Sequence, residues 1–202
     1  KPDVEIVKDT RRIEARDLDG CEAVMHLAAL SNDPMGAMNA QLTFDVNRDA
    51  SVRLARIAKQ AGVPRFLFAG SCSVYGKGEK LDLDEGDPLN PLTAYAQSKI
   101  ETEQQVSRLA DASFTPVYLR TSTAYGHSPM LRIDLVVNNL VGYAVTTGEV
   151  LIKSDGTPWR PLVHVEDISR AFLAVLAAPR EVVHNQAFNV GRNDENYRVR
   201  EA

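Results

Sequence analysis

The run Phe66-Leu67-Phe68-Ala69-Gly70 contains no polar residue, and that continuity constrains the fold more than any other feature of the sequence. A strand with one wet face alternates apolar and polar residues, whereas a strand that is apolar throughout is covered on both faces, as in a parallel sheet flanked by helices. The run stops at Gly70 and passes into Ser71-Cys72-Ser73. A buried central strand therefore delivers hydroxyl groups at its carboxyl end, where open α/β sheets bind their ligands. Other segments supply the rest of such a sheet. Val4-Glu5-Ile6-Val7-Lys8-Asp9 alternates like a short strand, Cys21 to Ser31 is an apolar run closing in small residues, and Pro116-Val117-Tyr118-Leu119-Arg120 and Ala187-Phe188-Asn189-Val190-Gly191 add two more. Between them, Leu42, Val46, Ala50, Leu54, Ile57, Ala58 and Ala61 recur at helical spacing until Gly62 and Pro64 end the helix. Ile168, Ala171, Phe172, Val175 and Leu176 form a second core-facing stripe, broken at Pro179. The alternation predicts an α/β fold with a doubly wound parallel sheet.

Composition narrows the function classes. A chain of 202 residues, 44% apolar and 25% charged, is large enough for a substantial core. A formal charge of -4 without any block of basic residues argues against nucleic acid or an anionic membrane as partner. No apolar run reaches the ~20 residues of a membrane span. Cys21 and Cys72 show neither a disulfide framework nor metal-ligand spacing, which fits a reducing, cytoplasmic setting. His26, inside an apolar run, is expected to be satisfied within the core, and Cys72 to be partly buried and inert. No metal site is expected.

Chemistry is concentrated in Tyr95-Ala96-Gln97-Ser98-Lys99. In a helix spanning 94–110, Tyr95 and Lys99 lie one turn apart on the same face, with Glu101, Glu103 and Arg108 expected to point outward. A tyrosine titrates near pKa ~10, so its phenolate is scarce at neutral pH unless a fixed cation stabilises it. Lys99 is placed to be that cation. Tyr95 could then take a proton from a substrate hydroxyl while hydride leaves the same carbon, with Ser71 hydrogen-bonding the oxygen.

A strand ending in Ser71-Cys72-Ser73-Val74-Tyr75-Gly76, an acidic loop, and then Pro91-Leu92-Thr93-Ala94-Tyr95-Ala96-Gln97-Ser98-Lys99 resembles the extended short-chain dehydrogenase/reductase family. The likeness is to its NAD-dependent nucleotide-sugar epimerases and dehydratases. The resemblance implies a Rossmann-type sheet and a catalytic triad of Ser71, Tyr95 and Lys99, with Ser71 rather than Ser73 as the hydroxyl. It also implies that Leu27, Ala28 and Ala29 meet the adenosine half of NAD with Ser31 nearby. Asn47 would face the nicotinamide, and Ala69, Tyr95, Lys99 and Ser122 would complete the cofactor contacts. Substrate contacts would come from Ser71, from Thr123 in Leu119-Arg120-Thr121-Ser122-Thr123-Ala124-Tyr125-Gly126, from Asn139 in Asn138-Asn139-Leu140, and from Arg160 in Trp159-Arg160-Pro161-Leu162-Val163-His164-Val165-Glu166-Asp167. Thr123 stands where the family usually has Asn, and Pro161 where it has Asp. Asn139 reads equally as a diphosphate contact or as a helix N-cap. Arg160, a planar five-donor cation, suits a substrate phosphate. Dehydratases of the family carry Asp-Glu directly after the catalytic hydroxyl; this chain has Cys72-Ser73 there.

By the same resemblance the first strand and its Gly-x-Gly-x-x-Gly turn are absent, with Val4–Asp9 as the family's third strand, so the chain reads as truncated at both ends. Residues 1–130 are expected to be a partial dinucleotide-binding domain carrying the catalytic residues. Residues 131–202 are expected to mix part of a small substrate lobe with returning Rossmann elements. The expected activity is NAD-dependent epimerisation of a nucleotide-diphosphate sugar through a keto sugar, NADP remaining open as cofactor. Reductase and dehydratase activities remain open, as does a non-catalytic fragment unable to hold the cofactor pyrophosphate. A homodimer through the helices at 41–61 and 94–110 is the family's usual assembly. Residues 32–36 read as a turn, and the charged loop 77–87 reads either as a solvated crossing or as a wall of the sugar pocket.

Overall fold

The computed structural model describes residues 3–31, 39–77 and 82–202; the expected turn at 32–36 and part of the 77–87 loop lie outside them. Four parallel strands form the main sheet in the order β1-β2-β3-β6: β1 (Ala23–His26), β2 (Arg65–Ser71), β3 (Thr115–Thr121) and β6 (Ala187–Val190). A second sheet holds β4 (Thr123–Tyr125), β5 (Trp159–His164) and β7 (Asn196–Arg198), with β4 and β5 parallel and β7 antiparallel to β5.

Strand alternation sends β2 to both helical layers. Phe66 and Phe68 point into one core with Val52, Ala55, Ala58, Val106, Phe114 and Tyr118. Leu67 points into the opposite core with Val117, Leu119, Val163, Phe172, Val175 and Val190. The first layer is α1, built of Ala40–Thr43, a π-helical segment Phe44–Asp49 and Ala50–Gln60, beside α2 (Ala94–Ser107). The second is α4 (Val165–Ala177), followed by the short α5 (Arg180–Val183). An apolar strand sandwiched in this way is the reason for its unbroken composition.

Local chemistry sets the helix ends. Asn39 caps α1 by accepting from the Leu42 N–H at 3.0 Å, and Gly62, at φ +76°, ends it. Thr93 caps α2 by accepting from the Ala96 N–H at 3.1 Å, which puts Tyr95 in the first turn. α3 (Val136–Thr147) ends at Gly148 in the left-handed region.

Several expectations are corrected. Val4–Asp9 forms no strand: Val4 is 75% and Val7 93% exposed, and among the described residues no strand pairs with the segment. Alternation proposes a strand, but only a hydrogen-bonded neighbour makes one. The run at 21–31 yields a strand of four residues at the sheet edge, with Met25 and Leu27 exposed. After β6 the chain adds β7, a strand at Asn196–Arg198 that the sequence pattern did not mark and that joins the second sheet. Helix α2 ends at Ser107 rather than near 110, and Glu103 points inward, buried against Arg120. His26 is satisfied inside the core as expected, its Nε2 2.7 Å from the Ser51 hydroxyl.

Candidate active site

The site forms where β2 ends and α2 begins. Packing of α2 on β2 and on the 3-10 turn Cys72–Tyr75 brings the first turns of the helix over the strand's carboxyl end. Lys99, buried to 3% exposure, donates from Nζ to the carbonyl oxygen of Ala69 at 2.6 Å. The same ammonium lies 4.6 Å from the Phe68 ring centre and 5.5 Å from that of Tyr95. Burial pushes its pKa down to about 8, with the charge of Glu103 acting in the opposite direction. An ammonium this close to neutrality at physiological pH, set beside a partly exposed phenol, is equipped to share in proton movement.

Ser71 closes β2 opposite Thr121, and its Oγ accepts from the Ser73 N–H at 3.2 Å. That bond starts the 3-10 turn and holds the Ser71 side chain at the strand mouth, while Ser73 is exposed. The Cys72 thiol is turned inward to the Arg120 carbonyl at 3.1 Å, and burial raises its pKa. It is held away from thiolate chemistry, as expected.

Leu27, Ala28, Ala29 and Ser31 follow β1 as irregular, largely open chain. Asn47, 1% exposed, comes from the π-helical segment of α1 and ties down this stretch: its Oδ1 accepts from the Leu30 N–H at 2.7 Å and its Nδ2 donates to the Leu30 carbonyl at 2.9 Å. Ser122 sits at the crossing from β3 to β4, 9% exposed and packed against Cys72; a Cβ on Gly191 would run into its hydroxyl.

Residues expected to bind substrate are spread across the second sheet and α3. Thr123 opens β4, and Arg160 lies exposed on β5 with its guanidinium on the Trp159 carbonyl at 2.8 Å. Asn139 is not an N-cap, because the helix starts at Val136 and Leu135 occupies the cap position. Both asparagines instead reach back along the chain. Asn139 donates to the Ile133 carbonyl at 3.0 Å, while Asn138 donates to the Arg132 carbonyl at 3.0 Å and accepts from the Gly126 N–H at 3.1 Å.

That clamp shapes the 126–133 loop and presents Arg132, which sequence reasoning missed. Its guanidinium donates to the Ser31 Oγ at 2.7 Å and pairs with Asp134 at 2.6 Å, and its pKa is raised, first by the hydrogen bond to Asp134. The loop thereby bridges from the second sheet to the end of β1, 101 positions away in sequence. A lone arginine in an irregular loop carries no periodic signal, so only the Asn-Asn clamp could have hinted at its placement.

With this geometry in view, comparison with known proteins is informative. Residues 3–191 match the model of the NAD dependent epimerase/dehydratase family. The chain belongs to that family. A UDP-glucose 4-epimerase from Mus musculus is 28% identical over 188 residues, covering 84% of this chain and 54% of that protein. The chain spans about half the length of the curated relatives it matches. Among solved structures, the NAD dependent NDP-hexosamine 5,6-dehydratase TunA superposes with a TM-score of 0.85 at 26% identity, covering 96% of this chain and 62% of that one. MoeE5 in complex with UDP-glucose and NAD gives a TM-score of 0.81 at 32% identity, covering 92% and 62%.

Membership in the NAD dependent epimerase/dehydratase family gives a use to the open stretch after β1. Its small side chains leave the backbone approachable by a flat ligand, and it lies at the carboxyl ends of parallel strands, where such folds hold dinucleotides. The exposed backbone at Ala28 and Ala29 and the Tyr95–Lys99 pair at the strand ends are compatible with the NAD on which this family depends. Among the described residues no helix is long and apolar enough to cross a membrane.

Proposed function

We propose that this chain carries the catalytic centre of an NAD-dependent nucleotide-sugar epimerase. The observation that supports this most is the Lys99 ammonium, buried beside the Tyr95 ring and anchored to a backbone oxygen of the strand that ends in Ser71. NAD, when bound, would supply a reversible acceptor for the hydride of the sugar carbon. Tyr95 takes the proton of the reacting hydroxyl as that carbon becomes a ketone and gives it back as the hydride is restored to the carbon, and only the two returns together leave the sugar unchanged in redox state. Lys99 stabilises the phenolate and offers its remaining N–H groups to a ribose. Ser71 donates a hydrogen bond to the oxygen as carbonyl character develops. Inversion then requires the keto sugar to present its other face before the hydride returns.

Leu27, Ala28, Ala29, Ser31, Asn47, Ala69 and Ser122 are assigned to cofactor binding or its support, with NADP as an alternative to NAD. Thr123, Asn139 and Arg160 are assigned to the nucleotide-diphosphate sugar. Residues 1–130 would make up the dinucleotide-binding part and 131–202 the substrate lobe with the returning β6. A homodimer through α1 and α2 in the cytoplasm completes the reading, and sedimentation velocity tests the dimer. Dehydratase chemistry is the second reading, because TunA is a dehydratase. Against it stand the inward, protonated Cys72 and the exposed Ser73, which supply no acid and base beside Ser71.

The test is to incubate the chain with NAD and UDP- or dTDP-hexoses and follow the products by chromatography and mass. An isomer of unchanged mass supports epimerisation, and a product lighter by one water supports the dehydratase. Tyr95→Phe should lower turnover by about 10³-fold. Retained turnover in that variant removes the assigned base, and absence of NAD binding at millimolar concentration leaves a non-catalytic fragment.

A further inference from the structure

We propose that Glu103 is a positioning residue for the Tyr95–Lys99 pair, its carboxylate locked between Arg120 and the bare Cα of Gly70 as the buried anion next to the strand residue that holds the Lys99 ammonium. The inference rests on the epimerase reading for its catalytic meaning, while its structural basis is the placement of the carboxylate and the ammonium against consecutive residues of β2.

Tyr95, Lys99 and Glu103 recur every four residues of α2, so the three groups descend one face of the helix in steps of about 6 Å. Glu103 is 6% exposed, deep for a carboxylate, and its partner Arg120 on β3 is equally buried. The guanidinium engages both oxygens, with Nη2 2.8 Å and Nε 3.2 Å from Oε2 and Nε 3.3 Å from Oε1. Arg120 is fixed in turn by the Tyr75 hydroxyl at 2.9 Å, which donates to Asn189 on β6 at 2.8 Å. On its strand side, a Cβ added to Gly70 would come within 3.2 Å of Glu103 Oε1 and 3.0 Å of the Leu119 oxygen. Glycine there admits the carboxylate to the strand. Ala69 is the next residue along β2, and its oxygen holds Lys99. Carboxylate and ammonium therefore rest against consecutive residues of one strand.

The charged and titratable groups around Lys99 divide clearly. From β1, His26 is driven neutral by burial and by Lys99 itself. On α2 lie Tyr95 and Glu103. From β3, Tyr118 and Arg120 face Glu103. Tyr75 and Cys72 stand beyond Arg120, and Arg48 of α1 is held by Asp49 and Glu101. Among these described residues Glu103 is the buried anion within reach of the ammonium. Desolvation works to discharge Lys99, and Glu103 opposes it. Because Arg120 takes both carboxylate oxygens, Glu103 acts through its field and leaves the N–H groups of Lys99 to Ala69 and the site. A neutral residue at 103 would discharge Lys99 at lower pH and leave the phenolate unsupported.

The experiment follows the side-chain Cε and Nζ resonances of labelled lysine in the 202-residue chain, with Lys99 assigned by their loss in Lys99→Met. Glu103→Gln should lower the Lys99 midpoint by at least one pH unit, a tenfold change in its proton affinity, and Glu103→Asp should keep it near the wild-type value. Because Glu103→Gln leaves Arg120 as a lone buried cation that threatens folding, Glu103→Gln/Arg120→Gln is measured as well, with a fall of the same sign expected. A Lys99 midpoint unmoved in either folded variant overturns the proposal. Sugar turnover, assayed in parallel, separates the two claims. Wild-type chain that turns over no nucleotide sugar disposes of the epimerase reading and leaves the lysine titration interpretable.

Discussion

Asn47 grips Leu30 by both of that residue's backbone polar groups, accepting from its N–H at 2.7 Å and donating to its carbonyl at 2.9 Å. The grip depends on the π-helical segment around it, whose wider turn lets the Asn47 carbonyl accept from the hydroxyls of Ser51 and Thr102. A side chain from α1 thus fixes the path of the chain just past β1.

Replacing Asn47 by Leu, similar in volume, leaves the part-buried N–H and C=O of Leu30 without their side-chain partners. The expected cost is about 2–4 kcal/mol of unfolding free energy, read from urea denaturation. NAD affinity should weaken at least tenfold by calorimetry, because the stretch from Leu27 to Ser31 is no longer held. An unchanged affinity in the folded variant would show that this stretch does not contact the cofactor.

Lys99→Met should be inactive yet compare favourably in stability near neutrality. The folded pKa of Lys99, about 8, lies below the ordinary lysine value of 10.5, so between those values the unfolded chain binds the extra proton. Wild-type stability therefore rises with pH across that window, by roughly 3 kcal/mol from this group. The stability of Lys99→Met relative to wild type should accordingly be most favourable at pH 7 and decline by that order toward pH 10.5. Parallel denaturation curves at the two pH values decide it.

His26 predicts the acid limit. Burial, reinforced by Lys99, drops its pKa from 6.5 to about 4. Above pH 6.5 both states hold it neutral, and below that the unfolded chain takes the proton first. Stability is therefore lost as pH falls from 6.5 to 4, by roughly 3 kcal/mol. His26→Gln should flatten that part of the profile, and an equally steep decline in the variant would assign it elsewhere.

Much of this was legible from residue order, and the exceptions share a cause. The uninterrupted apolar run of β2, the burial of His26 and the four-residue spacing of Tyr95 and Lys99 are local patterns that α/β packing preserves. Val4–Asp9 carries an equally good local pattern but among the described residues has no strand to pair with, and its apolar residues stay in water. Glu103 reads as an outward charge on any hydropathy scale. Its inward turn follows from an arginine on β3 and a missing side chain on β2, both distant in sequence. The clue available was that 103 continues the 95, 99 series. Arg132 was hidden for the same reason, since its partner Ser31 lies 101 positions away, whereas Asn138 and Asn139 bond loop carbonyls six positions back, a pairing that no periodicity marks.

Arg65, at the opposite end of β2 from the chemistry, provides a control. Its guanidinium donates to the carbonyls of Val175 at 2.9 Å and Ala178 at 3.0 Å and also reaches Leu176, satisfying the C-terminus of α4. Arg65→Met should cost about 2 kcal/mol in thermal or urea unfolding while leaving kcat/KM at saturating fold unchanged. A large loss of catalysis in the folded variant would mean that the sheet transmits strain along its whole length.

The tether that sets the ammonium's position is made to a peptide oxygen of Ala69, an atom every amino acid possesses. Side chains around the mouth can therefore be exchanged, altering which guest is accepted, without dislodging the cation. The ammonium's anchorage is thus set by the path of the strand and not by the identity of the residue at 69.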